Sequence, residues 1–153
     1  MFRNILVLCT ANICRSPLAE GLLKHRLQSR PDIVIHSAGV AALTDARAHP
    51  IVLDLLRKGG INMRAHRARQ CDLDLLRQSD LVLVMEQSHL KWLSAAYPQF
   101  HGRSFLMGHW QDKKEVPDPI GQPMAVFESV RDQIDIHADE WLAKILKQGP
   151  ARV

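Results

Sequence analysis

Apolar residues along the chain gather into short runs, and stretches of helical spacing separate them. Asn4 to Cys9 reads as a strand ending in a polar loop, after which Ser16-Pro17 supplies a helix start, with serine as N-cap and proline at the first helical position. Ala19, Leu22, Leu23 and Leu27 recur at helical spacing with Lys24, Arg26 and Gln28 between them, which predicts a helix with one apolar face as far as Ser29. Ile33-Val34-Ile35, bounded by Pro31 and Gly39, predicts a second strand, and Pro50 to Lys58, stopped by Gly59-Gly60, a second helix. Asp80 to Met85 holds an unbroken apolar run, the pattern of a strand covered on both faces, with helical signals on either side. Ser104 to Met107 predicts a shorter fourth strand. Phe127, Val130, Ile134, Trp141 and Ile145 mark one face of a long last helix that ends at Gly149-Pro150.

Alternating strands and helices imply an α/β fold, a four-stranded parallel sheet with helices on both faces. In such sheets ligands bind beyond the carboxyl ends of the strands, where the strand order reverses, and the loop after the first strand is a usual place. Here that loop is Cys9 to Ser16. A chain of 153 residues without repeat or linker fits a single domain, residues 1–153. Its 46% apolar and 24% charged residues exclude a disordered or low-complexity chain. No run approaches the roughly 18 apolar residues of a membrane span or resembles a signal peptide, so no membrane insertion is expected and the expected location is the cytoplasm.

Charge and side-chain chemistry narrow the function. The net charge of +4 favours anionic ligands, but lysine and arginine are dispersed and aromatics make up only 5%, so a nucleic-acid partner is not expected. The three cysteines, Cys9, Cys14 and Cys71, are an odd count in a chain large enough to fold without staples, which favours free thiols. The eight histidines show no H-E-x-x-H spacing, and neither metal nor cofactor is expected.

Cys9-Thr10-Ala11-Asn12-Ile13-Cys14-Arg15-Ser16 places a cysteine and an arginine at the two ends of a short loop that opens into a helix. Amides at a helix N-terminus bind anions, and an arginine fork can take two phosphate oxygens at once. The same field favours a thiolate, the nucleophilic form of cysteine. A chance C-x5-R match is ordinarily a buried thiol and a surface charge. This one falls at a strand end, before a Ser-Pro helix start, in the first βα turn, which is the setting a phosphate loop requires. A Walker loop is absent, so ATP binding is not implied.

The segment Cys9 to Pro17 resembles the C-x-G-N-x-C-R-S-P signature of the low-molecular-weight protein tyrosine phosphatases. Ser37-Ala38-Gly39, His66-Arg67-Ala68-Arg69-Gln70 and Asp118-Pro119 match further family segments, so the resemblance covers nearly the whole chain. It is closest to bacterial members that act with tyrosine autokinases in capsule or exopolysaccharide export. The resemblance implies a flavodoxin-like three-layer fold, hydrolysis of phosphotyrosine in a protein partner, and a phosphate or other anion held in the loop. It makes Cys9 the nucleophile, Arg15 the holder of the phosphoryl oxygens and Asp118 the general acid. Thr10, Ala11, Asn12, Ile13, Cys14 and Ser16 then form the substrate cradle.

Asn12 tolerates left-handed backbone, and the Ser16 hydroxyl can reach loop amides or the thiolate. Cys14 is open between core packing and, as the resemblance implies, trapping oxidised Cys9 as a disulfide. His66 and Cys71 read as structural, since nothing in the sequence connects them to the loop. Ala11 stands where the family carries glycine, and a positive φ there would cost about 1 kcal/mol. Ile120 stands where many members carry an aromatic, making that cleft wall aliphatic. Leu43 is open between a second apolar wall and the core. An arsenate reductase of the same fold needs a downstream cysteine pair, and only Cys71 follows the loop. An idle anion-binding module has no need of Cys9 and Asp118 together.

Overall fold

In the computed structural model, which describes residues 2–147, strands and helices alternate as β1 (Asn4–Cys9), α1 (Arg15–Arg26), β2 (Val34–Gly39), α2 (Pro50–Lys58), α3 (Leu73–Gln78), β3 (Leu81–Val84), α4 (Gln87–Ala96), β4 (Ser104–Leu106) and α5 (Met124–Lys147). A 3-10 turn, Pro98–Arg103, leads into β4. The strands are all parallel, in the order β2-β1-β3-β4, and the arrangement is the expected flavodoxin-like α/β fold.

Period-two alternation explains why β1 and β3 read as unbroken apolar runs. Ile5, Val7, Leu81 and Leu83 face a core with Leu18 and Leu23 of α1, Val52 and Leu56 of α2, and Phe127, Ile134 and Trp141 of α5. Leu6, Leu8, Val82 and Val84 face the opposite core, with Leu75 and Leu76 of α3 and Leu93 of α4. Both faces are covered, so neither set of side chains can be polar. The chain leaves β1 toward β2 on one side and returns as β3 on the other. The order therefore reverses at β1, which places the Cys9–Ser16 loop at the switch point.

Three boundaries differ most from expectation, beside the one-residue trimming of β3 and β4. The first helix starts at Arg15, with Cys14 at the N-cap and no side chain capping it, because the Ser16 hydroxyl bonds within the loop instead. It ends at Arg26, ahead of the expected Ser29: Leu27 N–H still reaches Leu23 O, but Arg30 N–H turns back to Leu27 O, and Pro31 disfavours helix at Arg30. Strand β2 runs past its β-branched residues to Gly39, since Ser37, Ala38 and Gly39 pair with Val7, Leu8 and Cys9. Gly39 fits there for want of a side chain, because a Cβ would lie 2.5 Å from Thr10 O. The expected helix stop at Gly149-Pro150 lies outside the described residues.

Candidate active site

Strand β1 delivers Cys9 to the sheet's carboxyl edge, and the chain must then turn into α1 within a few residues. Asn12 makes the turn with φ 61°, a left-handed conformation that asparagine tolerates better than most residues. Ala11 is not among the residues with positive φ, so the conditional cost of a Cβ there does not arise. No side chain caps the start of α1, which leaves its amides for an anion.

Buried side chains hold this loop from behind. Asn12 Oδ1 accepts from Arg69 N–H at 3.0 Å, which fixes the amide, and Nδ2 donates to Ser16 Oγ at 2.7 Å and to Ser37 Oγ at 3.0 Å. Ser37 passes its own proton toward Glu20 Oε1 at 2.5 Å. Ser16 Oγ, which accepts from Asn12, lies 2.9 Å from Cys9 Sγ and has its own hydrogen available to donate to that sulfur. His66 Nε2 lies 2.8 Å from Asn12 O, so a histidine with no visible link to the loop in the sequence is hydrogen-bonded to it across a sequence separation of 54. Asn12→Ala is expected to lower stability by about 2–4 kcal/mol, from left-handed strain and unpaired buried partners. Thermal unfolding checks this, and an unchanged Tm contradicts it.

Arg15 joins the loop to the two other segments of the site. It is buried, and its NH1 donates to Glu86 Oε2 at 2.8 Å and to Val116 O at 2.9 Å. That anchoring leaves the Nε–NH2 edge for a phosphoryl group, with NH2 3.4 Å from Thr10 Oγ1. Glu86 follows β3, and His89 sits one turn into α4, its Nε2 3.0 Å from Thr10 Oγ1. Burial, reinforced by Arg15, pushes the His89 imidazole down to about 4, against the opposing pull of Glu86 and Glu115.

Val116 also fixes the approach to Asp118, its N–H bonding Met85 O at the end of β3. Asp118 is exposed, and its Oδ1 accepts from Ile120 N–H at 3.1 Å, an Asx turn that aims the carboxylate. Cys9, Thr10, Ala11, Ile13, Cys14, Arg15, Asp118 and Ile120 line one shallow cleft. Leu43 is 55% exposed, which rules out the core, and its N–H bonds Ala11 O beside the loop. A larger cavity of about 650 Å³, between α2 and Gly60–Arg64, contains none of these residues. Size is a poor guide here, because a phosphoryl group held by backbone amides needs a cradle and not a deep pocket.

Residues 4–151 match the family model described as low molecular weight phosphotyrosine protein phosphatase. Among solved structures, the tyrosine phosphatase Wzb from Escherichia coli K30, in complex with sulphate, superposes with a TM-score of 0.88 at 42% identity, covering 95% of this chain and 99% of that one. The low molecular weight protein-tyrosine-phosphatase Etp of Escherichia coli K12 is 35% identical over 94% of this chain and 95% of that protein. The YwlE arginine phosphatase of Geobacillus stearothermophilus, at 27% identity, has a TM-score of 0.89 and covers 95% of this chain and 94% of that one.

The chain belongs to the low molecular weight phosphotyrosine protein phosphatase family.

In this phosphatase the loop, Arg15 and the Asp118 segment meet although Arg15 and Val116 are 101 positions apart in the chain. Two polar contributors were missed in the sequence, Glu86 and His89. The signal that could have found them is their position, immediately beyond the carboxyl end of a fully buried parallel strand. Cys14 is buried, and its thiol is pushed up to about 12 by desolvation first and then by Cys9 and Asp118, so it is protonated at neutral pH. Cys9, Cys14 and Cys71 are all free thiols. Cys71 N–H bonds Gly39 O, which ties it to the sheet edge.

Proposed function

We propose that this phosphatase hydrolyses phosphotyrosine in a protein partner through a phosphocysteine intermediate, and that the partner is a bacterial tyrosine autokinase of capsule or exopolysaccharide production. The observation that carries the reading is the single cleft lined by Cys9, Arg15 and Asp118, with Arg15 tied to the acid's own segment. Cys9 Sγ attacks phosphorus as the P–O bond to the phenol breaks. Arg15 and the loop amides of residues 10–16 hold the non-bridging oxygens while charge redistributes over them. A tyrosine phenolate, with a pKa of about 10, leaves poorly at neutral pH, so Asp118 protonates its oxygen. The Asp118 carboxylate then takes a proton from water as that water attacks the phosphocysteine, releasing inorganic phosphate and the thiolate. Leu43 and Ile120 flank the substrate ring with aliphatic surface, and the reaction needs neither metal nor cofactor.

The autokinase assignment rests on the sequence resemblance to capsule-associated members, and the tyrosine phosphatase Wzb as a structural neighbour supports the phosphatase part of the reading. The reading takes the chain as one domain acting in the cytoplasm, and among the described residues no helix is long and apolar enough to cross a membrane. A panel of phosphotyrosine, phosphoserine, phosphoarginine and arsenate tests it. Preferential release of phosphate from phosphotyrosine is expected, whereas a preference for phosphoarginine or reduction of arsenate replaces the reading.

Oxidation tests Cys14. Peroxide converts Cys9 to a sulfenic acid, and attack by Cys14 sulfur then expels water and closes a disulfide that thiol reductant reopens. A thiol pushed up to about 12 closes it slowly at neutral pH and faster as the pH rises. Cys14→Ser is expected to recover poorly after the same exposure. Equal recovery of variant and wild type assigns Cys14 to packing.

A further inference from the structure

The hydrogen bonds around His89 determine a proton position that reaches the cleft. His89 Nδ1 lies 3.1 Å from the Glu86 amide nitrogen and 3.3 Å from that of Met85, and both amides point their N–H at it. An imidazole nitrogen that accepts carries no proton, so the neutral ring bears its hydrogen on Nε2. Nε2 is 3.0 Å from Thr10 Oγ1 and 3.7 Å from Glu86 Oε2, so the hydroxyl is its partner. The other group facing that oxygen is Arg15 NH2, 3.4 Å away, which also only donates. Thr10 Oγ1 is thus approached by two donors and has no acceptor beside it among these contacts. Its own hydrogen is left to point toward the cleft that Thr10 lines with Cys9 and Arg15.

We infer that the Thr10 hydroxyl is an additional hydrogen-bond donor to a non-bridging oxygen of the phosphoryl group, and that His89 is the positioning residue that orients it. The inference rests on the phosphatase reading of the loop and adds to it a side-chain donor, beyond the backbone amides and Arg15. Burial keeps the ring neutral across the ordinary assay range, with Arg15 reinforcing that effect and Glu86 and Glu115 opposing it. The tautomer therefore persists there, and the hydroxyl is aimed before substrate arrives, so no proton has to be relocated on binding. His89 is 1% exposed and also closes the start of α4 through the Glu86 amide, so substituting it bluntly mixes a folding effect with a functional one.

Asparagine separates the two effects, since its Oδ1 can replace Nδ1 as acceptor for the Glu86 amide while nothing replaces the Nε2–H. Thr10→Val is expected to weaken competitive inhibition by inorganic phosphate, and to lower kcat/KM for phosphotyrosine, each by about tenfold, the size of one hydrogen bond to a charged group. Thr10→Ser, which keeps the hydroxyl, is expected to recover most of that loss. His89→Asn is expected to keep the wild-type Tm, to lose about threefold to tenfold in both measurements, and to add nothing when combined with Thr10→Val. Full wild-type phosphate affinity in Thr10→Val, or losses that multiply in the double variant, overturns the inference. Should His89→Asn melt early, ¹⁵N NMR of the His89 ring in the wild-type protein decides instead: an Nε2–H tautomer between pH 5 and 8 supports the inference and an Nδ1–H tautomer overturns it. Phosphate binding is read without turnover. A wild type inert toward phosphotyrosine therefore fails the proposed function and leaves the donor test standing.

Discussion

Cys9→Ser is expected to lower kcat/KM for phosphotyrosine by about five orders of magnitude, while inorganic phosphate still binds within a few-fold of wild type. The two halves of that result have separate physical origins. In the proposed mechanism binding falls to the uncapped amides at the start of α1, to Arg15 held by Glu86 and Val116, and to the loop shape set by Asn12, and none of these depends on sulfur. Attack on phosphorus requires an anionic nucleophile. Ser16 Oγ lies within hydrogen-bond reach of position 9 and can donate to an anion there, but one hydrogen bond is far too little to ionise a serine hydroxyl at neutral pH. Steady-state kinetics together with isothermal titration with inorganic phosphate measures both halves. Turnover comparable to wild type removes the covalent route, and loss of phosphate binding along with turnover means that the substitution has disturbed the cradle.

What could be read from the chain depended on whether the signal was local. Strand β3 was legible because both of its faces are buried, so the run Leu81–Val84 could not accept a polar residue. The loop was legible because Cys9, the turn residue Asn12 and Arg15 lie within one βα turn, where spacing alone fixes their approximate geometry. Serine 16 was misplaced as a cap for the opposite reason. Its hydroxyl has two competing uses, and Asn12 and Cys9, brought within reach by the turn, take it from the helix end. No local spacing ties Glu86, His89 and His66 to the loop, because each meets it only through the sheet order β2-β1-β3, which brings distant segments to one edge. Leu43 shows the limit of apolar pattern: a leucine after a strand is open between a cleft wall and the core, and its 55% exposure, with a backbone bond to Ala11, excludes the core.

Asp118→Asn is expected to lower kcat/KM by about a thousandfold on phosphotyrosine and far less on aryl phosphates whose phenols are strongly acidic. An acidic phenol can depart as its anion unaided, whereas the tyrosine oxygen, with a pKa of about 10, needs a proton in the transition state. Asparagine keeps the size of the side chain and its oxygen can still accept from the Ile120 amide, so the turn between Pro117 and Pro119 is retained and the proton alone is lost. Where phosphorylation of Cys9 limits kcat/KM, the wild type should vary little with leaving-group pKa while the variant falls steeply as that pKa rises. The use of kcat/KM isolates this first step from the proposed hydrolysis of the phosphocysteine, to which the same carboxylate is assigned as base. Parallel plots for the two proteins across an aryl phosphate series exclude Asp118 as the acid. The search then moves to Glu115, whose carboxylate accepts from the Gln87 amide at 2.7 Å and so lies beside the Arg15–Glu86 pair, and after it to Asp112 on the preceding turn.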